Sequence, residues 1–584
     1  MININILYYI PLVIIFISVP VSIKYRTFAY VLSVISSIAF IFITFNRYNY
    51  ITYFYMISGA VWIISSIYSI SYSKSYGKWL SPLFLLTISG MMVILYSSNF
   101  LIFITGWEIM SIPAYVTVAV NKRNDAEAYV FMFFSEISTV FIITAAVMSY
   151  FYTGNFGFNI LTNDYVLLIF TIGAMSKMGL TPFMISEWLP IAHGSAPANS
   201  SALFSATMTL MGVYGITKIA LLSPQSQTIG ILFTAIGVIS VIFGSLYAYI
   251  SENMKSLGGF STIENNGTLL SAIGLYVTFN DHILRMFIII SVVIFAMGHS
   301  IAKTGLFMSV GNTGAEYFSM VSKNSSSANK IGKFFIFSSL SGLFPGIGGL
   351  GTWMVLESFF MGAYLGGISG LASLIGGSVL AIGEGFATAA MFKIYYFSDK
   401  HDKKIEKNDL KTYTVLATGL LLILLFAVSV IFIKPEFLSG IPEVLVFNGF
   451  MIESKFNEND FGLVTPFYIL VLIIIFSLLT YAIFGKPKTR KVMPWNNGVS
   501  DFDGYTSFSY SSGIRLILKR ILKTGNKKSG METVDIFWFA MIKIARGFRN
   551  GARYIGYRIM NSSISYYMVY MIIAFIIIII IVSL

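Results

Sequence analysis

The chain has no cysteine, which removes disulfides, thiolate metal sites and cysteine-ligated iron–sulfur clusters. Histidine is almost as scarce. His193, His282, His299 and His401 are the only four in 584 residues, too few for a haem–copper oxidase, and no two are placed as stacked haem ligands on one helix. The chain is therefore expected to hold no metal and no cofactor and to carry no electrons. Charge is also thin: 11% of residues are Asp, Glu, Lys or Arg, against about 25% in soluble domains. With 56% hydrophobic residues, this composition excludes a soluble globular domain and implies a polytopic membrane protein. The net charge of +13 does not point to nucleic acid, because the basic residues fringe apolar stretches. The first such stretch, Ile6 to Val21, has no basic region before it and no small-residue cleavage site, so it reads as a retained helix.

What is abundant is apolar sequence in lengths that suit a bilayer, about 20 residues per helix. Spans are predicted near 5–23, 27–45, 51–71, 79–97, 99–120, 128–152, 164–188, 202–222, 229–250, 262–279, 283–309, 333–361, 366–397, 412–433, 464–485 and 563–584. The expected fold is all-α and integral to the membrane, with about sixteen transmembrane helices. Alternation places Lys24, Arg26, Lys74, Lys78, Lys122, Arg123, Lys255, Lys323, Lys330, the run 401–407 and the region 486–528 on one side. The acidic loop 435–461 falls on the other. The positive-inside rule makes the basic side cytoplasmic and puts both termini outside a cell membrane.

Two spans look broken. One runs into Thr181, Pro182, Pro190 and Pro197, and the other contains the glycine-rich run 341–351 around Pro345. Freed backbone groups at membrane depth are tolerated where protein or a wet cavity satisfies them. The breaks fall at matching positions of two successive five-helix blocks, the pattern of inverted transporter repeats. The organisation expected is 1–78, N-terminal helices; 79–222 and 229–397, two ion-translocating repeats; 398–485, further helices; 486–562, a basic segment ending in a lateral amphipathic helix over Val534 to Met560; and 563–584, a final anchor. The run 341–351 is no nucleotide loop, since neither a strand before it nor Gly-Lys-Ser after it is present.

Against this apolar background the titratable residues stand out. Glu108 lies mid-span, and Leu101 to Met110 holds no other charge. Lys177, Lys218, Glu264, His299, Lys303, Glu384 and Lys393 also fall within or at the rim of apolar stretches. Such groups face protein or water and usually serve ions or protons. Blander readings exist for some. Lys218 and Lys393 sit where helix-end lysines snorkel, His193 lies among prolines, and Glu357 and Glu384 suit helix-packing acids.

Three segments carry a family resemblance. Gly106 to Tyr115 (Gly-Trp-Glu-Ile-Met-Ser-Ile-Pro-Ala-Tyr) resembles the glutamate helix of the antiporter-like subunits of respiratory complex I. Gly173 to Pro182, with Trp188 to Pro197 and Ser201 to Ser205, resembles their broken lysine helix. Met297 to Phe307 is similar to their histidine–lysine helix. Ser261 to Gly267, and Trp495 to Gly498 followed by Tyr505 to Ser509 and Arg515, are similar to the branch of the large membrane subunit of hydrogenase-4 and formate-hydrogenlyase type complexes. The acid expected near the second break is replaced by Thr352, and Asn497 stands at a usual cysteine.

The resemblance implies a proton- or sodium-translocating subunit of a redox-driven complex. Flavin, iron–sulfur clusters, quinone or a nickel–iron centre would then sit in partner subunits, with other membrane and peripheral subunits as contacts. Glu108, Lys177 and Lys218 are expected to relay protons in the first block, Glu264 to link the halves, and His299, Lys303 and Lys393 to continue in the second. Lys255, Glu357, Glu384 and His193 are secondary members. Pairing Glu108 with Lys177 would hold both ionised, and separating them would let the lysine release its proton. Two alternatives share the fold: a subunit of a multisubunit cation/proton antiporter, and the membrane partner of a bicarbonate-accumulating complex.

Overall fold

The computed structural model describes residues 7–45, 50–122, 125–161, 163–180, 188–400, 405, 407–432, 445–448, 451–456, 459–485, 505–519, 522–527 and 530–535, with isolated positions from 543 onward. The anticipated last span, most of the lateral helix, the Trp495 signature and residues 181–187 of the first break lie outside the described residues.

A segment surrounded by lipid must pair its own backbone groups, and the helix is the one way a single segment does so. The chain is accordingly helical and multi-pass. Among the described residues, nine helices are long and apolar enough to cross a membrane, and shorter apolar helices accompany them. In order they are α1 (Ile10–Lys24), α2 (Arg26–Phe45), α3 (Tyr50–Tyr72), α4 (Leu80–Tyr96), α5 (Phe100–Lys122), α6 (Asp125–Thr153), α7 (Tyr165–Met178), α8 (Trp188–Ser195), α9 (Ala198–Leu203), α10 (Thr209–Ala220), α11 (Gln227–Ile250), α12 (Met254–Thr278), α13 (His282–Thr313), α14 (Ser327–Leu340), α15 (Ile347–Tyr364), α16 (Gly367–Phe397), α17 (Leu410–Phe432), α18 (Pro466–Phe484), α19 (Ser507–Tyr510) and α20 (Ser512–Ile517). Each span anticipated up to residue 485 coincides with a helix or a pair of helices.

Helix association in lipid relies on close packing and polar contacts, because water does not drive it. The α11–α12 seam illustrates this. Gly230, Gly237 and Gly244 recur every seven residues along one edge of α11. A Cβ at Gly237 would stand 2.5 Å from the Gly267 carbonyl oxygen, and one at Gly244 would stand 2.5 Å from the Glu264 nitrogen. The two backbones touch, and that contact sets the position of Glu264. The long helix α13 packs against α3, α9, α12, α14, α15 and α17, forming the middle of the bundle.

Both breaks are real interruptions. α7 ends at Gly179, whose φ of 77° is the left-handed terminator conformation. α14 ends before Gly342, with φ 65°, and α15 starts at Ile347. Between α9 and α10, residues Phe204–Met208 form a π-turn.

Two sheets were not anticipated. β1 (Leu445–Asn448), β2 (Met451–Phe456) and β3 (Asn459–Val464) form an antiparallel meander with a bulge at Ser454/Lys455, in the stretch expected as an acidic loop. It packs on the end of α15, where Tyr364 meets Phe456 and Phe461 edge-on. β4 (Leu522–Lys527) pairs with β5 (Gly530–Asp535), so Val534 and Asp535 are strand rather than the start of a helix.

Candidate functional site

The first cluster is built by the end of α7. Gly179 ends the helix, and the last-turn carbonyls take donors from outside it. The Trp188 indole donates to the Ser176 carbonyl at 3.1 Å, and the Asn266 amide of α12 donates to the Met178 carbonyl at 2.8 Å. Lys177 lies in this last turn, where the carbonyl end of a helix favours a cation. Its ammonium is fully buried. It donates to Ser111 Oγ of α5 at 2.7 Å and to Ser135 Oγ of α6 at 2.9 Å, with the rings of Phe131 and Trp107 at 5.1 and 5.9 Å.

Glu108 is not its hydrogen-bond partner. The Glu108 carboxylate instead accepts from Thr139 Oγ1 of α6 at 2.5 Å. Glu108 acts on Lys177 electrostatically, and Glu136 of α6 joins them. Glu136 escaped the sequence reading although it carries the same signal as Glu108, a carboxylate inside the apolar stretch 128–152.

The second cluster lies between α12, α13 and α16. Glu264 is buried and accepts from Asn265 Nδ2 at 2.5 Å and Ser261 Oγ at 3.3 Å. Lys303 is fully buried and donates to the Gly258 carbonyl at 3.3 Å. Glu384 and Lys303 both act on Glu264 electrostatically. Gly383 packs on Val241, one turn from Gly244, where Glu264 sits, so Glu384 and Glu264 stand at about one level along α11. Glu384 Oε1 and both ring nitrogens of His299 and His193 are buried without a hydrogen-bond partner among the described residues. His193 stacks on Phe307 with ring centres 4.6 Å apart. Of the residues anticipated for the second block, His299 and Lys303 stand near Glu264, with His193 and Glu384 beside them, while Lys393 lies apart, on Tyr249, Ser251 and Glu252.

The other anticipated residues sit at the periphery. Lys218 ends α10, donating to the Ser97 carbonyl at 2.8 Å and Tyr214 OH at 3.2 Å under the Phe158 ring. It shares no partner with Lys177. Lys255 starts α12 and donates to the Ala196 carbonyl at 2.8 Å. Nearby, Ser195 Oγ donates to Glu127. Glu357 accepts from Ser454 Oγ of β2 at 2.7 Å, which makes it an anchor for the sheet.

Lys393, near the end of α16, spends its three N–H donors on the carbonyls of Tyr249 (3.0 Å) and Ser251 (2.9 Å) and on Glu252 Oε1 (2.9 Å). Arg515 Nη2 takes the same Glu252 oxygen at 2.8 Å, and Ser507 Oγ donates to the other at 2.5 Å. Glu252 was missed because it lies between spans. Lys333 was missed because it opens one: it is fully buried and donates to Ser325 and Ser398, with Asp399 at 3.5 Å.

Residues 97–376 match the family model described as the NADH:quinone oxidoreductase/Mrp antiporter transmembrane domain. The chain is 29% identical over 272 residues to hydrogenase-4 component B of Escherichia coli (strain K12), covering 43% of this chain and 40% of that protein. It is 28% identical over 247 residues to formate hydrogenlyase subunit 3 of the same organism, covering 39% of each. It is 29% identical over 248 residues to the putative antiporter subunit mnhA2 of Staphylococcus haemolyticus (strain JCSC1435), covering 39% of this chain and 31% of that protein. The chain therefore spans about two fifths or less of the length of these curated relatives. In fold it is similar to a chain of the membrane-bound sulfane sulfur reductase, an archaeal respiratory membrane complex, with TM-score 0.77, 18% identity, and 98% and 100% of the two chains covered. It also resembles a chain of the Mrp complex from Dietzia sp. DQ12-45-1b, with TM-score 0.65, 16% identity, and 82% and 56% covered.

Proposed function

We propose that this chain, an antiporter-like membrane subunit of the NADH:quinone oxidoreductase/Mrp antiporter group, translocates protons for a redox-driven complex of the hydrogenase type. Its path would run from Glu108 and Lys177 through Glu264 to Lys303 and His299, with Glu384 and His193 at its flanks. The observation that carries this reading is the bonding of the two central lysines. Lys177 and Lys303 are fully buried and, among the described residues, donate only to hydroxyls or a carbonyl, with carboxylates acting on them from a distance. A buried lysine locked to a carboxylate keeps its proton, whereas one held by neutral oxygens can give it up without breaking an ion pair. Buried ring nitrogens and carboxyl oxygens without protein partners obtain them from water, which supplies the steps between side chains.

Electrons would pass through partner subunits that hold the redox groups, and ion movement would be this chain's share of the work. Lys393 and Lys218 are better read as helix-end anchors than as relay members. The antiporter reading keeps support from the similarity to Mrp-type chains and from the serine and threonine oxygens around Lys177, which suit sodium as well as an ammonium.

The test is the purified native complex in sealed vesicles with a pH-sensitive dye and a sodium indicator. Glu108→Gln and Lys177→Ala should abolish acidification with assembly intact. Full pumping by both variants would refute the path, and sodium uptake coupled to proton release without redox turnover would favour the antiporter.

A further inference from the structure

Along α6, the side chains of Tyr129, Phe133, Val140, Ile143 and Val147 are exposed and fall on one stripe of the helix. Every one of them suits lipid. Glu136 lies on the same stripe and is also exposed. The membrane-crossing part of this helix is Glu127–Thr153, so Glu136 sits nine residues, about 13 Å, from its nearer end. A carboxylate at that depth turned toward hydrocarbon is costly, and such groups almost always face protein or water. No hydrogen bond or ion pair to a described residue occupies it.

Its electrostatic surroundings make the demand sharper. Glu136 acts on Glu108 and Lys177, and it neighbours Ser135, which holds the Lys177 ammonium. Two carboxylates and one ammonium leave the group one positive charge short of neutrality. The missing charge belongs where Glu136 points, beyond the described residues.

We propose that the outward stripe of α6 is covered by a transmembrane helix of a neighbouring subunit, which presents a lysine, arginine or histidine side chain at the depth of Glu136. This deepens the reading of the chain as one subunit of a membrane complex. It makes Glu136 the place where the Glu108–Lys177 group meets charge supplied from outside, so the protonation of the first cluster becomes sensitive to the neighbour.

The experiment uses the full chain in its native membrane. A photoreactive phenylalanine analogue replaces Phe133 or Val140, with Ile382 on the exposed side of α16 as the comparison position. The expected result is a covalent adduct with one membrane protein from positions 133 and 140. Adducts with lipid alone would overturn the proposal. Glu136→Gln and Glu136→Lys are then purified through this chain. Because the side chain is exposed and makes no hydrogen bond or ion pair to a described residue, both variants should insert normally and retain that protein about tenfold less well, the lysine variant worse. Undiminished co-purification of both would equally overturn it. A complex that keeps the adduct but moves no protons would count against the preceding functional reading and leave this interface standing.

Discussion

Lys177 shows how much rests on single hydroxyls. Ser111 and Ser135 are its hydrogen-bond partners, and a hydrogen bond to a charged group contributes about 1.5–3 kcal/mol. Ser111→Ala with Ser135→Ala should therefore lower the thermal midpoint of the purified protein, and adding Lys177→Met should restore it, since the ion that needed the hydroxyls is gone. A triple variant no more stable than the double would refute this assignment.

Lys333 and Asp399 make a second residue-scale case. Burial alone would raise the Asp399 carboxyl, but Lys333 and the Ser325 hydrogen bonds outweigh it and hold the group below its ordinary value of 3.8. A depressed carboxyl stabilises the fold above its unfolded value, and that contribution fades as pH falls through the lowered folded value. The join between the start of α14 and the end of α16 should thus be constant from neutral pH down to about 4 and loosen below it, as hydrogen exchange across 323–333 would report. Asp399→Asn removes the carboxylate that Lys333 meets at 3.5 Å and should loosen this join, seen as faster exchange across 323–333 at neutral pH.

At the scale of elements, the glycine edge of α11 is the sharpest test of how α11 and α12 meet. Gly237→Leu puts a side chain where the Gly267 carbonyl already lies 2.5 Å from a Cβ. It should abolish the folded protein in detergent, whereas Gly385→Ala on open α16 surface, with nothing within 4 Å, should be silent. Unchanged size-exclusion profiles for both would contradict the packing.

Helices and breaks were legible because lipid imposes one length and one hydrogen-bonding solution, and because Gly179, Pro182, Gly342 and Pro345 interrupt it in print. The meander β1–β3 was not, although Ile452, Ser454 and Phe456 alternate inward in β2. Its strands are short, and its acids drew the reading toward a loop. Among the site residues, Glu264, His299 and Lys303 were visible as charges or rings in apolar sequence. The partners that decide their behaviour were not: whether a lysine faces a serine or a glutamate depends on the rotation of separate helices, which no local pattern encodes.

Taken as a whole, the molecule folds its tail back onto its body. Residues 505–519 reach the end of α11 through Arg515, Ser507 and the Tyr249 hydroxyl, which donates to the Tyr510 carbonyl at 2.7 Å. Glu252→Ala should free this segment, seen as faster protease cleavage near Arg515 with the helices intact; cleavage at the wild-type rate would mean the contact is incidental. A single carboxylate is gripped from one side by α16 and from the other by the tail. Any pull on residues 505–519 would thereby reach α16 as a mechanical load, quite apart from any wire of charges.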